Sequence, residues 1–212
     1  MKGLIFDLDG TLLNTLGDIG KACNHTLAKN GYPVHEIPAY RKMVGSGFEK
    51  LIERALGFRP ENLAALVGET RSYYREHMTE DTAPYPEMTE ALITLRDKGV
   101  KLAVLSNKPD ELSKILIAKY FPEIKFEAVV GAIEDIPLKP DPSSLEKLLA
   151  QMNLPRDEAA YCGDSDVDML TAKNAGVAGI GAGWGFRGAD ELVRAGAARV
   201  CTSPRELLLL AY

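Results

Sequence analysis

The sequence Gly3-Leu4-Ile5-Phe6-Asp7-Leu8-Asp9-Gly10-Thr11-Leu12 sets the frame for the rest of the chain. Its first four residues are an apolar run that predicts a short buried strand. Asp7 and Asp9 follow, and the Gly10-Thr11 pair then turns the backbone sharply. Both carboxylates are therefore expected at the carboxyl end of the strand. Because two like charges that close repel each other, a divalent cation is the simplest way to stabilise the pair.

The motif Asp7-Leu8-Asp9-Gly10-Thr11-Leu12, placed directly after an apolar strand, resembles the first motif of the haloacid dehalogenase-like phosphotransferases. The resemblance implies that Asp7 attacks phosphorus and that Asp9 serves as general acid and base. Taken alone, the motif is also compatible with an acidic turn whose side chains are solvated. The other groups that phosphoryl transfer requires must therefore come from the rest of the chain.

The composition is that of an ordinary globular protein, with 46% hydrophobic and 26% charged residues in a chain of 212. This length suits one domain plus a smaller one. The formal net charge of −5, without a basic run, argues against nucleic acid or an anionic membrane as partner. Three cysteines without CxxC spacing indicate reduced thiols, and no run approaches about 18 apolar residues. We expect a cytoplasmic monomer or homodimer, and the family resemblance implies a small phosphorylated molecule as its partner.

Residues 15–82 are predicted to form an all-helical domain inserted after the first strand. Three helices are indicated: from Leu16 to Asn30, from a capping box at Ser46 and Glu49 through Leu56, and from Pro60 onward. No convincing strand is found between Leu12 and Thr82. The stiff segment 83–86, Ala-Pro-Tyr-Pro, is the expected return linker.

Residues 1–14 and 83–212 are assigned to a core domain in which strands and helices alternate. Such alternation predicts an α/β fold, a doubly wound parallel sheet with helices on both faces. The sequence Ser203-Pro204-Arg205-Glu206 adds an N-cap, a first-turn proline and a capping-box Glu for a terminal helix. The strands after the return linker are expected at Val100–Leu105, Glu127–Val130, Ala159–Cys162, Val177–Ile180 and Arg199–Cys201.

Polar clusters follow three of these strands. Asp7 and Asp9 follow the first strand, Ser106 and Asn107 follow the second, and Asp164 with Asp168 follows the strand at 159–162. Serine, asparagine and aspartate favour turns in any case. Ligands nevertheless bind at the carboxyl ends of parallel strands, and three clusters at one edge predict a single site.

A magnesium site and a phosphate site can be built from these groups. Carboxylate and backbone oxygens are the ligands that Mg²⁺ prefers, and the candidate ligands are Asp7, Asp9 (through its backbone carbonyl or that of Leu8), Asp164 and Asp168. Asp168, one turn after Asp164, is a ligand through water or an orienting group. The candidate catalytic residues are Asp7, Asp9, Ser106 and Lys139, of which Lys139 acts as a point charge. Ser106 and the amides after it can donate to phosphate oxygens.

Further motifs extend the family resemblance over nearly the whole chain. Ser106, Lys139 and the run Gly163-Asp164-Ser165 with Asp168 match the family's remaining motifs, and the helical insertion resembles its small cap domain. Within the family, phosphoglycolate phosphatase-like members are the most similar, on Tyr85-Pro86, Ser106-Asn107-Lys108-Pro109 and Gly183-Trp184-Gly185. Two departures bear on the subfamily: Asn14 stands where Asp is common, and Asp141 where His is expected after Lys139-Pro140.

The second acid favours a phosphate ester as substrate. Relatives that cleave carbon–halogen or carbon–phosphorus bonds usually lack an acid at the position of Asp9, whereas ester hydrolysis needs a proton donor and then a base. Substrate choice is expected from the cap, where the turn at Gly45, Ser46 and Gly47 opens a helix N-terminus suited to an anion. Arg41 could pair with a substrate carboxylate or be a surface residue, and Lys108 could contact phosphate or cap. The complete set of candidate substrate-binding residues is Thr11, Arg41, Gly45, Ser46, Gly47, Asn107 and Lys108.

The sequence thus predicts a Mg²⁺-dependent phosphatase that works through an aspartyl-phosphate on Asp7. The family resemblance makes phosphoglycolate the leading substrate, followed by pyrophosphate and sugar phosphates. A phosphoglucomutase-like isomerase on the same core is an alternative, which a requirement for a bisphosphate activator would reveal. A non-enzymatic binding protein is a second alternative, against which the complete set of carboxylates and lysine argues.

Overall fold

The computed structural model describes residues 1–210, which form two compact units. Residues 1–13 and the chain from Pro84 onward make an α/β core, and Asn14–Ala83 make a helical unit. Two short strands, β2 (Leu13–Asn14) and β3 (Ala83–Pro84), pair with each other where the chain passes between the units. The expectation of no strand before residue 82 is therefore wrong at β2, because two residues are too few to show a periodicity.

The core contains a six-stranded, wholly parallel sheet in the order β5-β4-β1-β6-β7-β8. This arrangement confirms the predicted doubly wound α/β fold. The strands are β1 (Gly3–Phe6), β4 (Lys101–Pro109), β5 (Ala128–Ala132), β6 (Ala159–Gly163), β7 (Ala178–Ala182) and β8 (Arg199–Cys201). The helices are α4 (Met88–Asp97), α5 (Asp110–Tyr120), α6 (Ser143–Gln151), α7 (Asp166–Ala175) and α8 (Ala189–Arg194), with 3-10 turns at Arg156–Glu158 and Pro204–Leu210.

Strand β1 lies inside the sheet and is buried along its whole length. Its last residue, Phe6, is in register with Val104 of β4 on one side and with Cys162 of β6 on the other. Helices cover both faces of such a sheet, which is why the strand is a continuous apolar run rather than an alternating one. The carboxyl ends of β1, β4 and β6 consequently meet at one edge.

Strand β4 is longer than its apolar run predicts. It continues past Leu105 to Pro109, which pairs with Ala132 of β5 after a shift of register. Ser106, Asn107 and Lys108 are buried in this extension. Polar residues in a strand end the hydrophobic pattern without ending the strand, so the boundary could not be predicted from hydropathy.

The chain's last described helix also differs from its prediction. Pro204–Leu210 is a 3-10 helix, and the Glu206 carboxylate accepts hydrogen bonds from Thr202 rather than from Ser203. The Glu206 side chain therefore binds Thr202 and does not form the capping box predicted with Ser203. None of the helices within residues 1–210 combines the length and apolarity needed to cross a bilayer.

The helical unit consists of α1 (Leu16–Lys29), a 3-10 segment (Ile37–Lys42), α2 (Gly47–Leu56) and α3 (Leu63–His77). Helix α3 begins at Leu63 instead of Pro60, because residues 60–62 form a turn that ends on Asn62 as N-cap. The capping box expected at Ser46 does not form, since Ser46 Oγ accepts a hydrogen bond from Arg54 instead. The unit's own core includes Ile19, Cys23, Leu27, Tyr40, Leu51, Ile52, Leu66 and Tyr74.

A buried carboxylate ties the end of the helical unit back to its first helix. Asp18 of α1 accepts hydrogen bonds from the backbone amides of Asp81 and Thr82, both at 2.9 Å, and from the Thr82 hydroxyl at 2.7 Å. Hydrogen bonds to a charged acceptor are among the stronger ones in proteins. The segment that leads into β3 is thereby held at a defined place on α1.

Candidate active site

The loop after β1 is a tight turn that holds Asp7 at the edge of the sheet. The amides of Thr11, Leu12 and Leu13 all point at the carbonyl oxygen of Leu8. Gly10 has a φ of +85°, a conformation that residues with a Cβ rarely adopt. The Asp7 amide donates to the Cys162 carbonyl of β6 at 2.8 Å, so the backbone of this residue is fixed by the sheet.

Three of the four predicted metal-ligand carboxylates converge. Asp7, Asp164 and Asp168 are buried, and one carboxylate oxygen from each lies within 4.8 Å of the others. Asp9 is oriented differently, because Lys108 Nζ lies 2.8 and 3.0 Å from its two carboxylate oxygens. The structure thus brings together a carboxylate triad and, next to it, a separate Asp9–Lys108 ion pair.

Lys139 connects the triad to the neighbouring strands. Its ammonium lies 3.0 Å from Asp7 Oδ1 and 2.7 Å from Asp168 Oδ1. It also donates to the hydroxyl of Tyr161 at 2.8 Å, and that hydroxyl donates to the Leu105 carbonyl. The charge of Lys139 is therefore placed between two carboxylates and held there by a phenol.

Tyr161 is a site residue that the sequence reasoning missed. Its ring lies in the buried strand β6, where an aromatic residue is expected simply to pack. A buried tyrosine hydroxyl nevertheless needs a hydrogen-bond partner, and this requirement was the available signal. Burial, together with the charges of Asp168 and Asp7, raises the pKa of Tyr161 well above its ordinary value, so the phenol keeps the proton that it donates.

Asp168 is engaged through both of its oxygens. Oδ1 accepts from Lys139, and Oδ2 accepts from the Ser165 amide at 3.0 Å and from the Ser165 hydroxyl at 2.6 Å. Of the two roles predicted for Asp168, this arrangement favours orientation of Lys139. Asp164, by contrast, accepts a hydrogen bond from the backbone amide of Phe186 at 2.7 Å, a contact that the sequence did not indicate.

Ionisation of the buried carboxylates in this site is electrostatically unfavourable. Burial raises the pKa of Asp7 to about 6, although the charge of Lys139 acts in the opposite direction. Burial and the charges of Asp168 and Asp7 raise the pKa of Asp164 well above its ordinary range. Burial alone would lower the pKa of Lys139, but Asp168 and Asp7 raise it instead. The triad has more negative charge than Lys139 neutralises.

The predicted phosphate-binding residues of the core lie at the same edge. Ser106 is buried, and its Oγ accepts from the Lys108 amide at 3.3 Å. Thr11 Oγ1 is buried without a hydrogen-bond partner among the described residues. Asn107 uses its side chain structurally, donating to the Lys139 carbonyl and accepting from the Lys139 amide. Contact of these residues with a substrate stays a prediction.

The predicted specificity residues of the cap all belong to the helical unit. Arg41 is exposed in the 3-10 segment 37–42. Gly45 and Gly47, on either side of Ser46, have φ values of +113° and +82°, so glycine suits both positions. Asp141, the departure from the family pattern, accepts hydrogen bonds from the amide and hydroxyl of Ser143 and so caps the start of α6.

The chain is similar to known proteins over most of its length. The family model of the haloacid dehalogenase-like hydrolases matches residues 4–182. A phosphoglycolate phosphatase from Aquifex aeolicus is 35% identical over 188 residues, which cover 88% of this chain and 86% of that protein. A phosphoglycolate phosphatase from Caulobacter vibrioides is also 35% identical over 188 residues, which cover 86% of this chain and 79% of that protein.

Solved structures show the same fold. A crystal structure from Lactobacillus delbrueckii subsp. bulgaricus superposes with a TM-score of 0.92 at 30% identity, covering 99% of this chain and 98% of that chain. The family match spans both the loop after β1 and the acidic loop after β6. The chain therefore belongs to the haloacid dehalogenase-like hydrolases and, within them, to the phosphatases.

Proposed function

We propose that the protein hydrolyses a small phosphate monoester with Mg²⁺ as cofactor and that phosphoglycolate is its substrate. The observation that carries the proposal is the convergence of Asp7, Asp164 and Asp168 within 4.8 Å, with Lys139 beside them. The names of the relatives support the choice of phosphoglycolate. The protein is a phosphoric monoester hydrolase by family; the metal, the substrate and the residue roles are what we propose.

The charge and chemistry of the site fit a divalent cation. Asp7, Asp9, Asp164 and Asp168 provide four carboxylates, whereas Lys108 and Lys139 provide two ammonium groups. One divalent cation neutralises the difference, and an all-oxygen donor set suits Mg²⁺. Asp7 and Asp164 would hold the ion, because both oxygens of Asp168 are engaged by Lys139 and Ser165. When bound, the ion would reduce the repulsion between nucleophile and phosphate.

Asp7 is the proposed nucleophile. One of its carboxylate oxygens attacks phosphorus, the bond from phosphorus to the ester oxygen breaks, and the phosphoryl group remains on Asp7 as an acyl phosphate. A water molecule then attacks this phosphorus, the bond between phosphorus and the Asp7 oxygen breaks, and inorganic phosphate leaves as the carboxylate is regenerated. Lys139 holds a positive charge 3.0 Å from Asp7 Oδ1, where it can stabilise charge that develops on the transferring group.

Asp9 is the proposed general acid and base. It would give a proton to the departing alkoxide in the first step and take a proton from the attacking water in the second. An Asp9 carboxylate held by Lys108 cannot donate a proton. We therefore propose that Lys108 positions Asp9 and that their ion pair opens when Asp9 accepts its proton.

Further residues are proposed to bind the phosphate and the remainder of the substrate. Thr11 and Ser106 are proposed to donate to the phosphate, as is the backbone of Asn107. Arg41 and the turn at residues 45–47 are proposed to recognise the carboxylate of phosphoglycolate, since a guanidinium and free helix N-terminal amides both suit that group.

The proposal is tested by measuring phosphate release from phosphoglycolate, pyrophosphate and a panel of sugar phosphates with Mg²⁺. Wild-type enzyme is compared with Asp7→Asn, and with Asp157→Asn, which makes the same change in an exposed turn as control. We expect release by wild type and the control, and loss of about 10⁴-fold or more in Asp7→Asn. Label from a radioactive phosphate ester should be trapped on wild-type protein by acid quenching and not on Asp7→Asn.

Three results would contradict the proposal. Hydrolysis that survives in Asp7→Asn would exclude the covalent route through Asp7. Absence of phosphate release from every ester would instead support a binding protein that has the fold without the activity. Turnover of a sugar phosphate only with a bisphosphate activator would identify an isomerase.

A further inference from the structure

The turn at Gly183–Arg187, which follows β7, has no role in the proposed chemistry but contacts Asp164 directly. The Phe186 amide donates to Asp164 Oδ2 at 2.7 Å. The turn is itself well fixed, since the Gly183 amide donates to the Cys201 carbonyl and the Gly185 amide to the Ala182 carbonyl. A rigid loop thus supplies a directed hydrogen bond to a proposed metal ligand.

Two glycines allow the backbone to approach the Asp164 side chain from two sides. A Cβ placed on Gly185 would lie 2.3 Å from Asp164 Cβ and 2.4 Å from the Gly10 carbonyl oxygen. A Cβ on Gly10 would lie 2.3 Å from Asp164 Oδ2. Contacts that short do not occur in folded proteins, so an added methyl group would have to displace the carboxylate or the backbone around it. Only glycine at positions 10 and 185 therefore leaves enough space for the Asp164 side chain.

Trp184 links the same turn to the loop that carries the nucleophile. Its indole Nε1 donates to the Thr11 carbonyl at 3.0 Å. The turn therefore contacts both Asp164 and the loop 8–13, which directly follows Asp7, the other proposed cation ligand. Outer hydrogen bonds of this kind orient carboxylates for metal binding.

We propose that the Gly183–Arg187 turn is a positioning element for the metal site, in which Gly185 and the Phe186 amide set the orientation of Asp164 and Trp184 fixes the turn against the loop after β1. The inference rests on the proposed Mg²⁺ site. It assigns a physical role to a motif that otherwise only marks the similarity to phosphoglycolate phosphatases. Gly185 and the Phe186 amide act on Asp164 directly, and Trp184 acts by holding the turn against the loop after β1.

The test is direct measurement of Mg²⁺ binding by isothermal titration calorimetry on the full-length, metal-stripped protein. We expect Gly185→Ala to weaken Mg²⁺ binding by about 10- to 100-fold. Trp184→Phe, which keeps an aromatic ring but loses the donor to Thr11, should weaken it in the same direction by less. Trp184 is the single tryptophan of the chain, so its fluorescence in the wild type should change on Mg²⁺ addition with the same half-saturation.

The matched control is Gly188→Ala, next to the same turn. Gly188 has a φ of +78° and no atom within 4 Å of an added Cβ, so this variant strains the backbone without touching Asp164. Its Mg²⁺ affinity should stay near wild type even if its melting temperature falls. Equal weakening in Gly185→Ala and Gly188→Ala, or none in Gly185→Ala, would overturn the inference. If Gly185→Ala does not fold, unchanged affinity in Trp184→Phe would overturn it.

Asp164→Asn separates this inference from the proposed function. Loss of Mg²⁺ binding in Asp164→Asn together with full binding in Gly185→Ala would retain the metal site and reject the positioning role. Absence of Mg²⁺ binding by the wild type would reject the metal site, and the positioning role with it.

Discussion

Asp9 and Lys108 form a well-enclosed ion pair beside the triad at the edge of the sheet, with side-chain exposures of 12% and 2%. Desolvating two charges costs several kcal/mol, and their mutual attraction repays that cost only when both partners are present. The pair also determines where the proposed general acid and base stands. Its energetic and catalytic roles can be separated by replacing each partner.

Lys108→Met should be destabilised by about 3–5 kcal/mol, because it removes the ammonium group that lies against the largely enclosed Asp9 carboxylate. Asp9→Asn combined with Lys108→Met should recover much of this loss, since no uncompensated charge then remains. The measurement is the free energy of unfolding in urea for the wild type, both single variants and the double variant. Additive effects of the two substitutions would show that the pair is not coupled.

At the scale of elements, Asn107 joins strand β4 to the loop that carries Lys139. Its side-chain amide donates to the Lys139 carbonyl at 3.1 Å, and its carbonyl oxygen accepts from the Lys139 amide at 2.8 Å. The Asn107 side chain thus makes the same pair of hydrogen bonds that the backbone of a neighbouring strand would make. It holds the backbone from which the Lys139 ammonium reaches Asp7 and Asp168.

Asn107→Ala should lower the free energy of unfolding by about 2–3 kcal/mol, since it leaves two buried backbone groups without partners. It should also reduce kcat, because Lys139 is no longer held in place. Asn174→Ala is the matched control. The exposed side-chain amide of Asn174 donates to the carbonyl of Pro140, the residue after Lys139. Loss of this hydrogen bond should lower the free energy of unfolding by less than about 0.5 kcal/mol. Urea unfolding and phosphate release measure the two effects. Similar losses in both variants would contradict the role given to Asn107.

At the scale of the whole molecule, the carboxylate triad couples stability to protons and metal. The pKa of Asp7 is raised to about 6 in the folded protein, against about 3.9 in an unfolded chain. The folded state therefore binds this proton more tightly than the unfolded state does. The associated stabilisation is complete below about pH 4 and is lost as the pH rises through about 6.

Metal-free protein should thus lose about 3 kcal/mol of stability from Asp7 between about pH 4 and about pH 6. Mg²⁺ should restore stability above that range, by about 2.7 kcal/mol at a concentration a hundred times its dissociation constant. Below that pH range, protons compete with Mg²⁺ for the carboxylates, and the stabilisation by Mg²⁺ should be smaller. Unfolding is measured in EDTA and in Mg²⁺ at both ends of the range. An equal gain from Mg²⁺ at about pH 4 and about pH 8 would argue against a cation held by these carboxylates.

Local patterns in the sequence were sufficient to predict the architecture. The apolar run 3–6 with its Asp-Leu-Asp-Gly-Thr continuation, and the regular alternation of strands and helices after residue 83, predicted a doubly wound parallel sheet. Because the strands of such a sheet are parallel, the same reasoning placed Asp7, Ser106 and Asp164 at one edge without any knowledge of contacts. The fold class, the location of the site and the family were therefore predictable from short-range patterns in the sequence, whereas the order of the strands in the sheet comes from the structure.

Only the folded structure shows which groups lie against each charged side chain. Asp9 pairs with a lysine 99 positions away, Lys139 donates to a tyrosine 22 positions away, and Asp164 is held by an amide 22 positions away. The extension of β4 through Ser106–Lys108 likewise appears only once its pairing with β5 is known. Periodicity and turn chemistry act over a few residues, whereas these contacts form between segments that the chain brings together only on folding, and so they leave no local trace in the sequence.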